Sequence, residues 1–116
     1  MIEEAARALE EEFERVALGP IRNIGAKRHE LSILIHRMFD EAVAGIWDNT
    51  ESAALRVGYV TDYFVRDDLG PKVLEDAFNE KNVFGRRIVD ELLYIAQGRI
   101  REVEAYVPDI PTTLQV

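Results

Sequence analysis

His36 and Asp40 stand four residues apart in HRMFD, a spacing that stacks two side chains on one face of a helix. An imidazole and a carboxylate so placed can share a proton or a divalent metal. Asp62 and Asp90, in later segments, add carboxylate oxygens of the kind a hard divalent cation takes. The expected metal ligands are therefore His36, Asp40, Asp62 and Asp90, and a divalent metal is the only cofactor implied. Such a centre would support metal-dependent phosphoester hydrolysis or metal-linked regulation.

A second pair points to different chemistry. Arg22-Asn23 followed by His29 spells R-N-x5-H, which is similar to the Arg-x(4–6)-His motif of HEPN ribonucleases. The resemblance covers eight residues, from Arg22 to His29. It implies that Arg22 and His29 act together at a dimer interface on a ribose 2′-hydroxyl, as a cation and a proton carrier beside a phosphate. The segments HRMFDEAVAGIWDN and VTDYFVRDD resemble the helical modules of phosphate-uptake regulators, which implies metal held by acidic clusters. The E-E-x-x-E spacing of all-α nucleoside-triphosphate pyrophosphatases is missing from every core-facing place. The run Glu10, Glu11, Glu12, Glu14 is a solvated helix face. The Glu-x-x-His pairs of di-iron bundles are absent as well.

Other chemistries are excluded by residue type. The chain has no cysteine, which removes disulfide scaffolds, thiolate metal sites and thiol nucleophiles. It carries no phosphate loop, no Gly-rich dinucleotide fingerprint and no Ser–His–acid arrangement. Arg86, Arg87, Arg99 and Arg101 make the last helical segment the most basic, and Asp90, Glu91, Glu102 and Glu104 on the same segment are their expected partners.

The elements that must position these residues are helices. Gly19-Pro20, Asp48-Asn49-Thr50, Gly70-Pro71 and Pro108 punctuate the chain, and apolar residues recur between them every three or four positions. The spacing predicts helices over 2–18, 26–47, 51–65, 71–78 and 84–107. In the second, Leu31, Leu34, Ile35, Met38, Ala42 and Ile46 form the main stripe, while Ile33, Val43 and Trp47 lie well round from it, as expected of a central helix. The fold class is all-α: an antiparallel bundle of three long helices plus one or two short ones. Residues 1–107 form a single domain, and 108–116 an extended tail.

At 116 residues, 47% hydrophobic and 31% charged, the chain is of ordinary globular composition and buries enough surface to fold without staples. Its net charge of −8 repels phosphate backbones, so neither nucleic acid nor an anionic membrane is an expected partner. The acidic N-terminus lacks the form of a signal peptide, and the cytoplasm is the expected location. The second and fifth helices carry more apolar surface than three neighbours can cover, which predicts a homodimer. The leading expectation is a small acidic interaction or regulatory module, with a protein as partner.

Overall fold

The computed structural model describes residues 2–79 and 81–106, and within them the chain is all-helical, without strands. Five helices follow in order: α1 (Ile2–Leu18), α2 (Ile24–Val43), α3 (Thr50–Phe64), α4 (Leu69–Ala77) and α5 (Val83–Tyr106). Four of them are long, at 17, 20, 15 and 24 residues, and only α4, with nine, is short. The expected tail, and the boundary before it, lie outside the described residues.

Local chemistry sets the helix starts. The side chain of Asn23 accepts from the Ala26 N–H at 2.9 Å, and that of Asn49 from the Ser52 N–H at 3.0 Å, satisfying donors that the first turn leaves unpaired. Asn82 does the same for the N–H of Phe84 at 2.9 Å. The second helix stops sooner than its apolar pattern predicts, at Val43 rather than Trp47. Gly45 takes the left-handed region at φ 70, which ends a helix cheaply only at glycine. Trp47, beyond it, is 84% exposed. The freed carbonyls at that end are taken up by Arg56 of α3, whose Nε donates to Ala42 O at 3.1 Å and whose Nη2 donates to Ala44 O. A guanidinium at a helix C-terminus also meets the negative end of its dipole.

Helix α2 is the hub, packing on α1, α3 and α5. It buries Leu31, Leu34, Ile35, Met38, Phe39 and Ala42, a band too wide for one or two neighbours. Phe39 is fully buried although it sits outside the expected stripe. It stacks on Phe64 at 6.0 Å, and Phe13 of α1 meets the edges of Tyr63 and Phe64 at 6.3 and 6.0 Å. These rings tie α1, α2 and α3 together, each pair adding about 0.5–1.5 kcal/mol beyond area burial.

Helix direction is antiparallel for two of the three neighbours of α2 and parallel for the third. Gly19 and Glu12 of α1 meet Lys27 and Arg37 of α2, so these two run in opposite senses. Phe64 and Arg56 of α3 likewise meet Phe39 and Ala42 of α2. By contrast Arg28 pairs with Glu91 and His36 with Arg99, both 63 residues apart, so α2 and α5 are parallel neighbours. The reason is the length of α4, since nine residues span only about 14 Å of helix and cannot carry the chain back along the bundle. Helix α5 must start where α3 stops.

The turn from α4 into α5 is the tightest contact. A Cβ on Gly85 would lie 1.7 Å from Phe78 O and 2.4 Å from Asn79 O, whereas one on Gly98, further along α5, would meet nothing within 4 Å. Gly85→Ala is expected to cost at least about 2 kcal/mol of unfolding free energy, because backbone must shift to admit it. Gly98→Ala should instead gain about 0.5–1 kcal/mol, the ordinary helical preference. Urea unfolding of the two variants checks the contrast.

Candidate functional site

The expected His36–Asp40 pair is present on α2, but its partner is an arginine. Arg99 of α5 lies across both residues: Nη2 donates to Asp40 Oδ1 at 2.6 Å, and Nη1 contacts His36 Nδ1 at 3.0 Å and His36 O at 3.1 Å. Its Nε is 3.3 Å from Glu102 Oε2, and the guanidinium sits 5.8 Å from the centre of the Phe39 ring. A guanidinium has donors only, so Nδ1 must accept, and the neutral ring then carries its hydrogen on Nε2. Neither ring nitrogen offers a lone pair to a metal in this arrangement. What the sequence presents as two metal ligands works in the fold as a clamp between parallel helices.

The remaining expected ligands lie elsewhere. Asp62 is half-buried with Oδ2 3.7 Å from Arg66, and Asp90 is exposed with Oδ1 3.6 Å from Arg86. Among the described residues, no three His, Asp or Glu side chains come together in a way that would hold a metal ion. The set His36, Asp40, Asp62 and Asp90 is therefore not assembled. Arg22 is exposed in the turn before α2, and His29 is exposed on α2 itself. The side chains of Arg22 and His29 are not joined by any hydrogen bond among the described residues.

A carboxylate cluster that spacing alone did not single out sits between α1 and α3. The Glu10 carboxyl is pushed up to about 7, first by burial and then by Glu14, with Asp67 and Glu11 adding to the rise and Arg7 opposing it. The Tyr63 side chain is buried on the facing helix, and burial, with Glu14 and Glu10 close by, raises its pKa as well. This places an acid with a near-neutral pKa against the core.

The concave surfaces lie mostly along α2 and α5. One shallow depression of about 680 Å³ runs over α5 past Arg87, Glu91, Tyr94 and Ile95. A smaller one of about 260 Å³ lies between the two helices, lined by Arg28, His29, Ser32, Glu91 and Ile95. Because Glu91 and Ile95 line both, the two form one continuous face. At the end of the molecule where α2 and α5 begin, a groove of about 590 Å³ is walled by Ile21, Ile24, Phe78, Phe84 and Ile88. No helix among the described residues is long and apolar enough to cross a membrane. Compared with known proteins, the chain matches no family model, no curated protein and no solved structure.

Two measurements test this geometry. Arg99→Met keeps the aliphatic stem but removes a guanidinium whose side chain is only 12% exposed, and should cost about 1–3 kcal/mol of stability. Asp40→Asn, on a side chain 66% exposed, should cost less than about 1 kcal/mol. The second measurement concerns pH. The folded chain holds the Glu10 proton more tightly than an unfolded chain does, so its contribution is intact below about pH 4.5 and is lost as pH rises through about 7. Urea midpoints followed across that range should fall in the native chain, and Glu10→Gln should flatten the decline and be the more stable protein above neutrality.

Proposed function

We propose that this chain is a small interaction module that works as a homodimer and acts by binding rather than by catalysis. The observation that carries this reading is the exposed apolar surface on the two helices built around each other. Tyr94 of α5 is 74% exposed and lines, with the half-buried Ile95, the depression over that helix, and Ile33 of α2 is 49% exposed. An exposed aromatic beside a branched side chain in one depression is what an interaction surface offers a partner. Tyrosine beside arginine and isoleucine is also the composition of interface centres, where large side chains desolvate with little entropy to lose.

The geometry suits self-association. Helix α5 is about 36 Å long, enough to present the roughly 800 Å² that each partner contributes to a stable pair. The catalytic alternatives have less support, since the one His–Asp pair on α2 is engaged by Arg99 in holding two helices together.

Light scattering at tens of micromolar should give twice the chain mass. Tyr94→Glu and Ile33→Glu should each shift the population to monomer without loss of helicity, because both positions face solvent in the single chain. A native chain that is monomeric under those conditions overturns the proposal.

A further inference from the structure

The outward flank of α5 carries its side chains in an order that suits an inverted copy of itself. Between Val83 and Ile95 come Val83 and Phe84, then Arg86 and Arg87, then Asp90 and Glu91, then Tyr94 and Ile95. Apolar pairs stand at the two ends, with a basic pair followed by an acidic pair between them. Every side chain lining the shallow depression over α5 comes from this one stretch.

Helical spacing turns these residues the same way. Phe84, Arg87, Glu91 and Tyr94 follow one another at steps of three, four and three, which keeps a single line along a helix. All four are exposed, Phe84 by 72% and Tyr94 by 74%, whereas Val89, Leu92 and Ala96 turn into the core.

Charge on this line is still open to a partner. Arg87 makes no ion pair among the described residues. Glu91 meets Arg28 through Oε2, with about half of each side chain exposed. Asp90 lies 3.6 Å from Arg86 and both are well exposed. Exposed pairs of this kind contribute little, so their carboxylates can accept a second guanidinium at small cost.

We infer that two copies of the chain pair along this flank with their α5 helices antiparallel, about a two-fold axis that passes beside Val89. Val83 of each copy then lies opposite Ile95 of the other, Phe84 opposite Tyr94, and Arg87 opposite Glu91, every pair occurring twice. This pairing rests on the homodimer reading and adds which residues meet and in which direction. A parallel arrangement would set Arg87 on Arg87 and Glu91 on Glu91, a like-charge contact that disfavours it. Sliding the antiparallel copies one heptad toward the ends of α5 takes Val83 and Phe84 of both out of the overlap. Other occupants match less well. A peptide, nucleic acid or membrane of one sign of charge meets Arg87 and Glu91 together, so what it gains at one it loses at the other.

The test uses the full chain. Arg87→Glu and Glu91→Arg should each raise the dimer dissociation constant about tenfold or more, because each sets like charges opposite one another twice. Mixed in equal amounts, the two variants should recover the native constant, since every facing pair is again opposite in sign. Sedimentation velocity reads both results, and circular dichroism should show helicity unchanged. Direction is read by cross-linking, in a chain that has no cysteine of its own. A short thiol reagent should link Asp90→Cys chains in pairs, since that position adjoins the axis. It should leave Gly98→Cys chains single, because residue 98 is nine positions from Val89 and its two copies would stand about 27 Å apart. Paired Gly98→Cys chains overturn the inference, as parallel or slid helices would bring them together. Charge variants that keep the native constant, or a mixture that fails to recover it, overturn it too. If the native chain is dimeric in those cases, the homodimer reading stands with its interface elsewhere. A native chain that is monomeric at tens of micromolar overturns both.

Discussion

Everything in this fold follows from the need to cover α2 on three sides. Its buried residues run from Leu31 through Phe39 to Ala42 on successive turns, a broad band opposite an exposed face that carries Ile33 and Arg37. Short turns bring α1 and α3 to two of the open sides. The third side can be filled only by a helix arriving from the end where α3 stops, and the nine residues of α4 deliver α5 there. The parallel pairing of α2 and α5 is thus a consequence of burial and chain length together. The polar contacts then secure what burial has arranged: Arg56 closes the C-terminus of α2, Lys27 the C-terminus of α1, and Arg99 the seam between α2 and α5.

Helix existence and type were legible because apolar periodicity and cap residues act within a few positions of one another. Asn49 and Pro71 mark their helices in sequence as they do in space. The early stop of α2 was legible in principle at Gly45, but Ile46 and Trp47 continue the apolar period and outweigh it. Phe39 was missed for a different reason. A stripe drawn for one contact face omits a residue that is needed only when a third neighbour is present. Helix direction was hidden for the same cause, since periodicity says which way a side chain points and not which helix it meets.

The candidate chemistry was the least legible part. The i, i+4 relation of His36 and Asp40 is real, yet the group that decides their role stands 63 residues from one and 59 from the other. Local spacing can place two ligands but cannot exclude a third group from between them. Arg99 looked like a partner for acids on its own helix, and it does meet Glu102, but its shorter contact is across the seam to Asp40. Glu10 was hidden in a run of glutamates read as one solvated face, of which only Glu11 is fully exposed while Glu10, Glu12 and Glu14 are half-buried. Burial sets it apart, with Glu14 beside it, and burial is not a local property.

The parallel seam also bears on the field outside the protein. The helices α2 and α5 each place about half a positive charge at their shared starting end, and the C-termini of the antiparallel α1 and α3 set about as much negative charge beside them. Side chains of both signs gather there too, with Asp67, Asp68 and Asp76 near the lysines and arginines of residues 19–29 and 81–89. With poles and charges so interleaved, the field of this 42 Å molecule falls off quickly, and a charged partner senses it only near the surface.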